Sequence, residues 1–222
     1  MSCQSVWRDM AGGSRYVLAL DRDSNAIFLP IRMSLNKIAL RSQALARRRG
    51  IPPTEAAAFA SHLADAGLAL VKNFQPKIVS AYFPLADEPS TLQLLAKLAQ
   101  TGVQTALPVT GKRGTPLLFR LWRPGEPTVK GKMTIEEPLP GATEVAPDLL
   151  FVPLAAFDRT GQRIGYGAGF YDRTLTGLRA TKKICAVGIG YANQELPKIP
   201  HEAHDEPLDF VLTEGELIDC RI

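Results

Sequence analysis

Residues 78–109 read IVSAYFPLADEPSTLQLLAKLAQTGVQTALPV. Ile78 to Phe83 is a short run rich in β-formers that stops at Pro84. Pro89 then stands where a first helical turn tolerates proline and opens a helix over Ser90 to Gln100. Val103 to Leu107 follows as a second apolar run, ended by Pro108. The order strand, loop, helix, strand recurs outward from this stretch. Leu117 to Trp122, Leu149 to Leu154 (broken at Pro153), Ile184 to Ile189 and Phe210 to Leu212 are further short apolar runs. Strands of this kind, nearly continuous in apolar residues and separated by helices, predict an α/β fold with a largely parallel sheet covered on both faces. Ligands of such sheets sit beyond the carboxyl ends of the strands. That directs attention to Tyr82 to Glu88, Pro108 to Gly114, Ala155 to Tyr171 and Tyr191 to Asp205.

Upstream, Ser34 to Arg49 places Leu35, Ile38, Ser42 and Leu45 at helical spacing, with Ser34 available as an N-cap and Lys37, Arg41 and Arg48 on the opposite face. Pro52 and Pro53 stop this helix, and Thr54 with Glu55 opens another whose stripe includes Phe59, Leu63, Ala66 and Leu70. Residues 1–33 mix Gly12, Gly13, four arginines and three aspartates without a period. They read as a flexible extension of a single domain over 34–222, or as an upstream start with Met33 the true one. Arg15, Asp21 and Asp23 interrupt any secretory core, and the aspartates argue against an organelle transit peptide, so a cytoplasmic protein is expected.

The 222 residues are enough to bury a sizeable core without a metal or disulfide, and 45% of them are apolar. No apolar run approaches the roughly 20 residues of a membrane span, and no membrane partner is expected. Cys3, Cys185 and Cys220 lie far apart, which excludes a disulfide framework and a zinc knuckle. Twenty-six basic against 22 acidic residues give +4, a mild excess that suits a phosphate or polyanion ligand without singling out nucleic acid.

The densest anomaly is AAFDRTGQRIGYGAGFYDRTL, Ala155 to Leu175. Glycines alternate at 165, 167 and 169 immediately before Phe170, Tyr171, Asp172 and Arg173. Alternating glycines clear side chains where backbone amides approach an anion, and a helix starting near Tyr171 adds its positive end. A tight strand-to-helix turn that merely needs glycine explains the same pattern. A dinucleotide fingerprint would want glycine at Phe170, and a P-loop would want GK[ST]; both fail. Arg163 and Arg173 suit phosphate clamps, and Asp172 a hard oxygen ligand. Asp205 lies in HEAHDEPLD, where His201 and His204 are three apart instead of the four of a metalloprotease helix; a solvated loop is the plainer reading. Lys37 and Arg41 are one helical turn apart and could meet one polyphosphate or form a solvated face.

Phe151 to Leu175, FVPLAAFDRTGQRIGYGAGFYDRTL, resembles the signature of the 5-formyltetrahydrofolate cyclo-ligase family. KIALR at 37–41, YFPLADEPST at 82–91, LPV at 107–109, VKGKMTIEEP at 129–138 and VGIGYANQELPKIPHEAHDEPLDFVLTE at 187–214 resemble its other blocks, in family order. The resemblance implies a three-layer α/β/α domain similar to the sugar-phosphate isomerase and CoA transferase group. It implies an enzyme that uses ATP and Mg²⁺ to convert 5-formyltetrahydrofolate to 5,10-methenyltetrahydrofolate: the formyl oxygen is phosphorylated, N10 attacks, and phosphate leaves. Carried across by residue, it implies that Lys37, Arg41 and the segment Arg163, Ile164, Gly165, Tyr166, Gly167, Ala168, Gly169, Phe170 and Tyr171 contact ATP. It also implies that Phe83, Leu85, Glu88 and Gly167 to Tyr171 contact the folate, that Arg163, Tyr171 and Arg173 act in catalysis, and that Asp172 and Asp205 hold magnesium. Tyr82 to Leu85 would line the pocket wall. Ser90 stands where members often carry an acid, and Ala168 and Phe170 replace the more usual glycine or lysine and tyrosine. Alanine is strained at 168 only if its φ is positive. A monomer is expected, with a dimer as the alternative.

Two other readings make different demands. An isomerase or CoA transferase of the same fold group would need a carboxylate nucleophile and would release no ADP. A basic RNA-binding module would need clustered Lys, Arg and aromatic residues, whereas the basic residues here are spread along the chain and the Arg47 to Arg49 run is short.

Overall fold

The computed structural model describes residues 17–20, 26–29, 31–85 and 87–221. The chain opens with a hairpin of β1 (Val17–Leu20) and β2 (Ala26–Leu29), then α1 (Ile31–Arg49) and α2 (Pro53–Phe74). β3 (Ile78–Ser80), α3 (Leu92–Ala99), β4 (Gln104–Val109) and β5 (Leu118–Leu121) follow. A hairpin of β6 (Thr128–Lys130) and β7 (Glu136–Pro138) precedes β8 (Glu144–Val145) and β9 (Leu149–Pro153). A second hairpin, β10 (Ala156–Phe157) with β11 (Arg163–Ile164), leads into α4 (Phe170–Arg179). β12 (Cys185–Ile189), β13 (Phe210–Leu212) and β14 (Leu217–Asp219) complete the chain.

Eight strands form the main sheet in the order β14-β13-β12-β9-β3-β4-β5-β8. Its inner ladders, β13 to β12, β12 to β9, β9 to β3 and β3 to β4, are parallel, and the outer strands β14, β5 and β8 are antiparallel. Side chains alternate across it as the pleat requires. Leu149, Phe151, Cys185 and Val187 join Phe59, Leu63, Leu94 and Leu98 of α2 and α3 on one face. Leu150, Val152 and Ala186 join Leu175 of α4 on the other. The result is the expected three layers. α1 belongs to neither face: Ala44 packs with Ala156, Ile164, Leu196 and Ile199, in the segments that leave the carboxyl ends of β9 and β12. Helix and loops thus enclose the end of the sheet where ligands are expected. Among the described residues no helix is long and apolar enough to cross a membrane.

Several boundaries differ from the sequence reading. α1 begins at Ile31, so Ser34 lies in its first turn and is not its cap. Of the stretch read as an extension, 1–16, 21–25 and Pro30 lie outside the described residues. β3 stops at Ser80, because Tyr82 leaves the ladder: its hydroxyl donates to the Pro89 carbonyl and its carbonyl accepts from Thr91 Oγ1. α3 starts at Leu92, with Thr91 at the N-cap position but its hydroxyl turned to the Tyr82 carbonyl, and β4 runs through Pro108, which pairs in register with Phe119.

Candidate functional site

The glycine loop is held by cations on its carbonyl side. Arg41 Nε donates to the Gly165 carbonyl at 2.6 Å, and Arg173 Nη1 donates to those of Ala168 at 2.9 Å and Gly169 at 2.7 Å. The amides of Tyr166, Gly167, Ala168 and Gly169, by contrast, have no acceptor among the described residues. Gly167 has φ +91°, and a Cβ there would lie 3.3 Å from Arg41 Nη2. Gly169, at φ +65°, precedes α4, whose start has no side-chain cap. Ala168 stays out of the left-handed region, so alanine carries no strain there. Unengaged amides, two left-handed glycines, a helix start and Arg41 make a cradle suited to phosphate.

The hairpin before the loop is fixed by Asp158, which is buried. Its Oδ1 accepts from the amides of Thr160 and Gln162, and its Oδ2 from the amide of Ile199, so one carboxylate ties the hairpin to the start of the 199–209 loop. Arg163, its side chain 5% exposed, donates to Asp172 Oδ1 at 2.6 Å and to the Glu206 carbonyl. Burial lowers the Arg163 pKa against the opposing pull of Asp172 and Asp205, and the Glu206 amide donates to Asp172 Oδ1 at 3.3 Å, which brings the residue after Asp205 against Asp172. Asp205 pairs with Lys37 of α1, each side chain 16% exposed. Burial opposes ionisation of Asp205, but the Lys37 hydrogen bond and the Glu202 amide prevail and hold its carboxyl below the usual range. Among the described residues no three His, Cys, Asp or Glu side chains gather as a ready-made metal centre. Asp172 and Asp205 supply two hard oxygen donors, the number Mg²⁺ commonly takes from protein when phosphate oxygens supply others. His204 is largely exposed beside Glu202, in keeping with a solvated loop.

On the other side of the loop lies a buried charge cluster. Glu88 is buried; its Oε2 accepts from the Leu85 amide at 2.9 Å and its Oε1 from Tyr166 Oη at 2.7 Å. Arg48, 2% exposed, donates from Nη2 to Asp87 Oδ1 at 2.8 Å and to Tyr166 Oη at 2.7 Å, and its Nη1 is 3.9 Å from Glu88 Oε1. Burial pushes the Glu88 carboxyl up, against the Leu85 amide, Tyr166 and Arg48. A cavity of about 370 Å³ is lined by Leu45, Arg48, Arg49, Leu85, Asp87 and Tyr166. Leu85 lines it as the sequence suggests, whereas Phe83 turns its ring edge-on to Trp122 at 6.4 Å. Tyr171 is a partly buried phenol whose pKa is raised by desolvation and then by the nearby Glu88 charge.

Lys37, Arg41 and Arg48 therefore do not form a solvated face. The sequence reading puts Arg48 on that helix face and Asp87 in the Tyr82 to Glu88 loop but gives neither a role. Arg48 carried a signal: it lies seven residues, about two turns, beyond Arg41 and so on the same stripe.

Comparison with known proteins bears on this arrangement. Residues 33–214 match the sequence profile of the 5-formyltetrahydrofolate cyclo-ligase family. The chain belongs to that family. It is 36% identical over 186 residues to 5-formyltetrahydrofolate cyclo-ligase of Mycolicibacterium smegmatis, covering 80% of this chain and 93% of that one. It is 32% identical to the enzyme of that name from Escherichia coli K12, covering 77% and 96%. The solution structure of Aquifex aeolicus 5,10-methenyltetrahydrofolate synthetase superposes with a TM-score of 0.70 at 26% identity, over 84% of this chain and 93% of that one. The matched residues, 33–214, contain every block singled out in the sequence.

Proposed function

We propose that this chain converts 5-formyltetrahydrofolate to 5,10-methenyltetrahydrofolate at the expense of ATP. The observation that carries the reading is the division of the site by one glycine loop, with an anion cradle on one side and a buried carboxylate beside a cavity on the other. A formamide oxygen is a poor leaving group, and its phosphorylation lets N10 attack the carbon and phosphate depart. Such a reaction needs positioning and charge neutralisation more than covalent help.

In this reading Lys37, Arg41 and the amides of Tyr166 to Gly169 hold the nucleotide phosphates, and Arg163 and Arg173 balance charge as it develops. Asp172 and Asp205 would hold Mg²⁺, which when bound neutralises phosphate charge. Arg163 and Lys37 partner these carboxylates, and a bound phosphate would draw the same two cations. Glu88 accepts N–H donors of the pterin ring, with Leu85 on the apolar side of the pocket, and Tyr171 stays a neutral phenol between the two halves. The protein works in the cytoplasm as a monomer.

The test is a cuvette assay with purified protein, 5-formyltetrahydrofolate and Mg-ATP, following methenyltetrahydrofolate absorbance and ADP together, with magnesium omitted as control. Product and ADP should rise in step and only with magnesium. A folded protein that binds ATP yet forms neither product would overturn the reading.

A further inference from the structure

Tyr166 sits inside the glycine loop, but its side chain leaves the anion side. Its hydroxyl donates to Glu88 Oε1 at 2.7 Å and accepts from Arg48 Nη2 at 2.7 Å, while the residue, 39% exposed, lines the cavity with Leu45 and Leu85. Arg48 is itself fixed, bound to Asp87 through Nη2 and directed through Nη1 at the Leu154 carbonyl. Among the described residues the Glu88 carboxylate receives one bond per oxygen, from the Leu85 amide and the Tyr166 hydroxyl, and each oxygen keeps a lone pair for a further donor. The Leu85 bond comes from three residues away in the chain; the Tyr166 bond is the one that crosses between segments.

We propose that Tyr166 is a positioning residue for the folate side of the site: anchored by Arg48, its hydroxyl aims the Glu88 carboxylate at the N–H donors of the bound heterocycle, and its ring forms one wall of the cavity. The proposal rests on the folate reading above. It moves Tyr166 from the nucleotide, where its place in the loop would put it, to the substrate. Only its backbone amide stays with the phosphate cradle, so one residue faces both ligands.

Tyr166→Phe removes the hydroxyl and keeps the ring. Hydrogen bonds to charged groups are the strong ones, so the KM for 5-formyltetrahydrofolate should rise about tenfold, while kcat and the KM for ATP stay within about twofold. Glu88→Gln should also raise the folate KM. Because Tyr166 acts through Glu88, the double variant should be no worse than Glu88→Gln alone. Tyr166→Met, which also lacks the hydroxyl, should share the selective rise in folate KM, and thermal melting checks that each variant is folded. A rise confined to the ATP KM, or effects that multiply in the double variant, would overturn the positioning role. An active wild type with an unchanged folate KM in Tyr166→Phe removes this inference alone. A wild type without turnover removes the folate reading, and this inference with it.

Discussion

At the scale of single residues, Glu88 sets the pH behaviour of the site. Burial raises its carboxyl, and Arg48, Tyr166 and the Leu85 amide hold it down only in part, with Asp87 adding a like charge. Tyr82 and Tyr171 also feel its charge, and burial keeps both phenols neutral. A raised carboxyl takes up its proton at a higher pH than a free glutamate, and an acceptor for N–H donors is lost when it does. The folate kcat/KM should therefore fall on acidification with a midpoint above the ordinary glutamate range. Glu88→Gln should flatten that limb in a pH profile while raising the folate KM. Asp172→Asn removes one of two oxygen donors and the partner of a buried arginine; turnover at saturating magnesium should drop by about 10² or more. Near-normal turnover would take Asp172 out of the metal-binding role. Glu88, Asp172 and the glycines were legible because each lies in a contiguous motif. Arg48 was not, since a cation on a helix stripe reads as solvated until the packing of that helix is known.

At the scale of elements, the glycine loop depends on backbone that alanine resists. Gly167→Ala puts a Cβ at φ +91° and against the Arg41 guanidinium, costing about 1 kcal/mol and displacing the cation proposed above to hold phosphate. The expected result is a melting point a few degrees lower and an ATP KM raised about tenfold, with the folate KM little changed; titration with ATP checks the second and calorimetry the first. The central strands were legible because parallel strands buried on both faces read as apolar runs. The hairpins β6 with β7 and β10 with β11 were not, because two- or three-residue strands carry no period. Tyr82 shows a third cause, a local side-chain bond that ends a strand before its apolar run does.

At the scale of the molecule, acid stability follows from carboxylates that tie distant segments. Asp148 accepts from the Ile78 amide and Lys182, and Glu206 from Arg179 and Thr176. Although burial opposes it, these bonds hold both carboxyls below their usual values, as Lys37 does for Asp205. Their contribution is complete above the unfolded carboxyl values and fades as pH falls through the lower folded ones. Glu88 acts in the opposite sense, costing stability once pH rises above its unfolded value. The three lowered groups outnumber it, so the melting temperature should fall from pH 6 to pH 3; an unchanged melting curve would contradict this. A chain starting at Met33 lacks the β1–β2 hairpin and the first two residues of α1 but keeps Lys37, Arg41 and Arg48, and its turnover should stay within about twofold of the full chain. The same helix also works as a ruler. From Lys37 to Arg48 it rises about 16 Å at 1.5 Å per residue, with the three cations within about 40° of one another around its axis. One residue inserted between Arg41 and Arg48 would swing Arg48 by about 100° and lengthen the gauge by about 1.5 Å, leaving the phosphate end in place and the Glu88 end without its cation. Surface loops of this protein can absorb changes in length; the stretch between those two arginines cannot.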